Sequence, residues 1–177
     1  MSEMPSPGSE LLDALYQGDS GAVDAKLAEG PQLTIFEAAA VGAVDRVHEL
    51  LLLEAGFVDL WSPDGFTALH LAAFFGHQAV ADELLRRGAD VSAVSRNPLR
   101  VQAIHSAAAG NHTDVVQTLL DHHADPNARQ EEGGFAPLHA AAQNGNEELY
   151  ELLVSRGADQ DAATDDGRTA ADFRPRS

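Results

Sequence analysis

Thr67-Ala68-Leu69-His70-Leu71-Ala72-Ala73-Phe74-Phe75-Gly76 decides how this chain folds, because the chain restates it three times. Gln102-Ala103-Ile104-His105 begins 35 residues after Thr67, Ala136-Pro137-Leu138-His139 a further 34, and Thr169-Ala170-Ala171-Asp172 a further 33. Paired alanines follow each of the first three (Ala72-Ala73, Ala107-Ala108, Ala141-Ala142), then Gly76, Asn111 or Gly145. Gly88, His123 and Gly157 stand twelve residues beyond these. A fixed period of this length marks an array of one supersecondary unit. Val80, Leu84 and Leu85 recur as Val115, Leu119 and Leu120, then as Leu149, Leu153 and Val154. That spacing puts each trio on one helical face, available to the neighbouring unit.

These residues resemble the ankyrin repeat, whose motif runs Thr-Pro-Leu-His, Ala-Ala, Gly-His, Leu-Leu and Gly-Ala-Asp. The resemblance implies a helix, a tight turn, an antiparallel second helix and a hairpin-like loop into the next unit. The expected fold is therefore all-α, a solenoid of stacked helix pairs. Weaker copies extend upstream: Thr34 to Gly56 keeps Ile35, Ala38-Ala39 and Gly42, with two extra residues before Gly56, and residues 11–30 keep Leu11, Ala14, Gly18 and Gly30. One domain is expected over 10–173, with repeats 10–33, 34–62, 63–97, 98–132 and 133–166 and a truncated cap 167–173. Residues 1–9 and 174–177 are expected to be disordered tails.

Composition narrows the function. The chain has 177 residues, 28 acidic against 11 basic, a net charge of −17. Nucleic acid and anionic membrane are disfavoured as partners, since both would be repelled. Cysteine is absent, which removes disulfides, thiol nucleophiles and Cys-based zinc sites. The longest aliphatic stretch, Leu50 to Leu53, is far short of a membrane span. With no secretion-type leader in Met1 to Ser9, a cytoplasmic, soluble protein is expected.

No cofactor, metal or catalytic residue is expected. His70, His105 and His139 recur once per repeat, too far apart to share an ion, and the resemblance implies structural bonds to nearby backbone. Asp159, Asp161, Asp165 and Asp166 crowd one loop, but Thr164 and Ala170 occupy the positions where a calcium loop needs Gly and Glu. No phosphate-binding glycine loop or nucleophile elbow occurs.

The resemblance assigns partner contacts to the hairpin tips and to the end of each first helix. In this chain those positions are Tyr16, Phe74-Phe75, Ala109-Gly110 and Gln143-Asn144 on helices, and Phe66, Val101 and Phe135 before the repeated tetrapeptides, with Trp61 leading into Phe66. Bulky Phe66, Phe74 and Phe75 beside small Ala109 and Gly110 describe a ridge next to a dip. The expectation is a non-enzymatic protein-interaction module, an adaptor, inhibitor or binding subunit, monomeric on its own. It would grip a protein partner, of basic character, in its concave groove behind a rim of acidic hairpins. The alternative is an acidic decoy for basic, nucleic-acid-binding surfaces, told apart by its steep salt dependence. Arg96 and Arg100, in a hairpin two residues longer than the last one, suit either an acidic partner or a local counterion.

Overall fold

A computed structural model describes residues 9–175; of the expected tails 1–9 and 174–177, all but Ser9, Arg174 and Pro175 lie outside the described residues. Five antiparallel helix pairs follow one another: α1 (Glu10–Gln17) with α2 (Ser20–Ala28), α3 (Ile35–Ala40) with α4 (Val44–Leu53), and α5 (Ala68–Phe75) with α6 (Gln78–Arg86). Then come α7 (Ala103–Ala109) with α8 (Thr113–Asp121), α9 (Pro137–Gln143) with α10 (Glu147–Ser155), and the single-turn α11 (Ala170–Phe173). The first helices stack in one row from α1 to α11, and the second helices α4, α6, α8 and α10 stack in another. The fold is an all-α solenoid. After α4, where the second repeat carries its two extra residues, the chain makes a 3-10 turn, Ala55–Asp59.

The alanines explain the close stacking. Ala72, Ala73, Ala107, Ala108 and Ala141 are wholly or almost wholly buried between first helices, where any larger side chain would force the rows apart. Leu84, Leu119 and Leu153 are fully buried between the rows. Each contributes roughly 1.5–3 kcal/mol through removal from water. The first repeat departs from this pattern: α2, which carries Lys26 where later repeats place leucine, buries none of its residues.

The repeated histidines tie each unit to the next. The Thr67 amide donates to His70 Nδ1 (3.3 Å), and His70 Nε2 donates to the Val101 carbonyl (3.0 Å). His105 repeats this with the Gln102 amide and the Ala128 carbonyl, and His139 with the Ala136 amide and the Ala162 carbonyl. Each ring therefore uses both nitrogens within the protein, one bond inside its own repeat and one into the following loop.

Between repeats the backbone closes four hairpins: Ser62 N–H donates to Phe66 O, Ser95 to Val101 O, Gln130 to Phe135 O and Thr164 to Arg168 O. In three of them the first residue's hydroxyl also accepts the returning amide, from Phe66, Val101 and Arg168. Ser9 caps α1 by accepting the Leu12 amide, and Arg174 lies 4.4 Å above the Tyr150 ring.

Candidate functional site

The first-helix row and the hairpin row enclose a cavity of about 390 Å³ over repeats three and four. Its floor is made of residues that are almost wholly buried, namely His70, Leu71, His105 and Ser106. Phe66 and Val101 stand on the hairpin side and Ala109 on the helix side, with Gln130 at the far end. The rim is apolar and open to water: Phe74 is 45% exposed, Tyr16 42% and Leu99 62%.

Tyr16 reaches this cavity from two repeats away. It leaves α1 two residues before the left-handed Gly18 and meets Phe75 and Phe74 with ring centroids 5.7 and 6.4 Å apart. Its hydroxyl donates to Asp64 Oδ2 at 2.8 Å. Burial of the ring, and then the bond to that carboxylate, push the phenol pKa well above its ordinary value. Phe74 and Phe75 meet edge to face at 5.1 Å. Adjacent helix residues point about 100° apart. Phe74 consequently faces the cavity, while Phe75 is half-buried against the core.

Five of the residues singled out from the sequence thus come together: Tyr16, Phe66, Phe74, Val101 and Ala109. The others lie elsewhere. Trp61 carries the Arg96 guanidinium 4.3 Å above its ring and borders a small cleft with Asp59 and Asp90. Phe135 is sandwiched against His139 and Phe173, each about 5.2 Å away, and lines a separate cleft with Glu132, Asp165 and Asp166. Gly110 serves packing, because a Cβ there would come within 2.6 Å of the His112 ring and 2.9 Å of the Phe74 carbonyl. Asn144 donates to the Ala108 carbonyl at 3.1 Å, and neither it nor Gln143 reaches the cavity.

Leu99 is the chief addition to the sequence reading. The hairpin from Ser95 to Val101 spans two residues more than that from Ser62 to Phe66, and Arg100 turns it with φ +46°. Asn97 holds the tip by accepting the Ser95 hydroxyl and the Leu99 amide. This lifts Leu99 over the cavity mouth. An apolar residue at the tip of a lengthened loop, Pro98-Leu99-Arg100, was the available signal.

The hairpin row is only weakly acidic at its tips. Counted with their closing residues, the four hairpins hold Asp64, Glu131, Glu132, Asp165 and Asp166 against Arg96, Arg100 and Arg168, a net of −2 out of the chain's −17, with Arg129 directly before the third. The arginines brace one another's loops: Arg100 grips both oxygens of Glu131 at 2.9 and 2.7 Å, and Arg129 reaches Asp165 at 3.2 Å. Arg168 pairs with Asp166 at 2.8 Å. The Arg100 guanidinium holds the Glu131 carboxyl below the usual range. Arg100 is therefore a local counterion, whereas Arg96 lies on the Trp61 ring with no carboxylate partner among the described residues. The surplus lies toward the first two repeats, where residues 9–61 carry ten acids against two bases.

In the loop 159–166 the carboxylates of Asp159, Asp165 and Asp166 are likewise engaged. Asp159 accepts the Asp161 amide, and Asp166 accepts the Thr164 hydroxyl at 2.5 Å. Among the described residues no His, Asp and Glu side chains converge as a metal-binding group, and no helix is long and apolar enough to cross a membrane.

Comparison with known proteins agrees with this architecture. A family description of ankyrin repeats in three copies matches residues 93–164, and a single ankyrin repeat matches 64–96. Over 107 residues, 59% of its length, the chain is 42% identical to the B-cell lymphoma 3 protein homolog of Mus musculus, covering 23% of that protein. It is 36% identical over 87 residues to Protein phosphatase 1 regulatory subunit 27 of Mus musculus, covering 49% of this chain and 56% of the relative. Tyrosine-protein kinase Shark of Drosophila melanogaster is 36% identical over 107 residues, 59% of this chain but 11% of that protein. The chain thus spans less than two thirds of each relative. Names this different over one shared stretch mean that the likeness is that of the repeat. With more than half of the chain matched, from 64 to 164, and the same helix pairs continuing upstream, the chain belongs to the ankyrin-repeat family.

Proposed function

We propose that the chain is a non-enzymatic binding module that takes up a segment of another protein in its concave groove, acting by occupancy as an adaptor, inhibitor or binding subunit. The observation that carries this reading is the apolar cavity with Phe74, Tyr16 and Leu99 exposed around its mouth. Leaving large apolar groups in water is unfavourable, and covering each is worth roughly 1.5–3 kcal/mol. Aromatic side chains around a pocket are also the usual anchors of interfaces. The family relation adds support, since one of the relatives is named as a regulatory subunit.

The partner binds through Phe66, Phe74, Val101, Ala109, Tyr16 and Leu99. Phe75, Trp61, Phe135, Gly110, Gln143 and Asn144 shape or flank the array. Capture of a partner from cell extract, at low and moderate salt, tests the reading with Phe74→Ala beside the native chain. Phe74 is the side chain to remove because it faces the groove, whereas Phe75 supports the core. A partner held at both salts and lost with Phe74→Ala is the expected result. Retention that survives the substitution and disappears with salt would move binding to the acidic surface, as a charge decoy requires.

A further inference from the structure

We infer that the segment taken up by the groove carries a large apolar side chain next to an arginine or lysine, with the apolar group in the cavity and the cation between Asp13 and Asp64 beside the Tyr16 ring. This deepens the binding reading above and rests on it. It follows from asking which charges along the groove are still without a partner.

Of the carboxylates at the hairpin tips, Glu131, Asp165 and Asp166 each have an arginine within 3.2 Å, and Glu132, which has none among the described residues, lies away from the groove in the cleft beside Phe135. Asp64 has none among the described residues. Its oxygens accept the Tyr16 and Ser62 hydroxyls, which fix its position and leave its negative charge whole. Asp13 is exposed on α1 three residues before Tyr16, a spacing that puts the two side chains on one helical face. It too has no cationic partner among the described residues, because Lys26 is engaged by Glu10 and Arg96 lies over Trp61.

Asp64 is bonded to the tyrosine that forms this edge of the cavity, and Asp13 is close enough to act on the same phenol electrostatically. The exposed tyrosine ring, with Phe74 beside it, is itself attractive to a cation. The surrounding field has the right sign, since the surplus of eight negative charges in residues 9–61 is at this end of the array. Toward the other end Arg100, Arg129 and Arg168 pair with Glu131, Asp165 and Asp166. The ligand therefore has a direction, cation toward the first repeat and apolar group toward Ala109. A second copy of the chain is the wrong occupant, because two chains of −17 repel.

The test uses random dodecapeptides displayed on phage and selected against the full chain at low salt. Parallel selections use Ala109→Glu and the double variant Asp13→Asn/Asp64→Asn. All three positions are exposed, and unchanged circular dichroism is required of each variant. Selected peptides should carry Phe, Leu, Met or Trp close to Arg or Lys, and should be lost with Ala109→Glu. With the double variant the apolar preference should remain while the basic enrichment disappears. The affinity of a selected peptide should fall about two- to fivefold per carboxylate, with the difference closing at high salt. Apolar peptides without basic enrichment, or basic enrichment that persists in the double variant, would overturn the inference and leave the groove reading standing. A selection yielding nothing sensitive to Ala109→Glu would overturn both.

Discussion

His112 donates from Nε2 to the carbonyl oxygen of Phe74, 2.9 Å away in the preceding repeat. To make this bond its ring lies directly over Gly76, where a Cβ would come within 2.5 Å of Nδ1. His77 does the same one repeat earlier, bonding the Ala40 carbonyl over Gly42. The turn glycine thus answers two demands, a left-handed φ of +80° and room for the next repeat's imidazole.

That double demand makes a graded prediction. Gly88 also has a left-handed φ, +91°, but nothing lies within 4 Å of its Cβ position. Gly88→Ala should cost only the conformational strain, about 1–2 kcal/mol. Gly76→Ala should cost that and roughly 1 kcal/mol more, since the displaced ring gives up its hydrogen bond. Urea unfolding of the two variants measures the difference. Equal losses would mean that the imidazole moves aside freely.

Leu99 separates binding from folding. It is 62% exposed at a hairpin tip and supports no core residue, so Leu99→Ser should change stability by no more than about 0.5 kcal/mol. Its place at the cavity mouth means that the same change should weaken partner capture several-fold. Val101→Ser should lower stability as well as binding, because Val101 is 7% exposed in the same hairpin. A Leu99→Ser chain that binds its partner as well as the native one removes this residue from the interface.

The helix pairs and their core were legible because one pattern is repeated. The alanine pairs and leucine trios meet the same packing in every repeat, so reading one of them reads the array. The site was legible only in part, since it depends on where repeats differ. Nothing local tells Phe74 from Phe75; the helical angle between neighbours sends one to the groove and the other to the core. The position of Phe135 depends on Phe173, 38 residues later, and which hairpin charges are engaged depends on ion pairs such as Arg100 with Glu131. Those pairings join loops that sequence proximity does not connect.

Buried histidines predict how stability responds to acid. Burial lowers the pKa of His70, His77 and His105 below the ordinary value. In the unfolded chain these groups take up protons near pH 6.5. Below that pH the unfolded state therefore binds more protons than the folded one. Stability should be complete above about pH 6.5 and should decline as pH falls toward the depressed folded-state values, by up to about 1.4 kcal/mol per pH unit for each histidine. Urea midpoints at pH 7.5, 6.5 and 5.5 check this. In His105→Gln, which cannot take up the proton, the decline should be shallower. The same slope in that variant would assign the acid response to other groups.

Ala136 offers a gain of stability. Thr67 stands at the equivalent N-cap, and its hydroxyl lies 2.8 Å from His70 Nδ1 while accepting the His70 amide at 3.4 Å. At Ala136 no side chain supplies that oxygen, although His139 still accepts the backbone amide at 3.0 Å. The two backbones match, with φ −88° and ψ 166° at Thr67 and φ −104° and ψ 162° at Ala136, an extended conformation that suits a β-branched residue. Both sites are buried to the same degree. Ala136→Thr should raise stability by about 1 kcal/mol through the restored cap. Ala136→Val has nearly the same shape without the hydroxyl and should bring no such gain. If valine stabilises as much as threonine, the benefit comes from filling space and the capping argument fails.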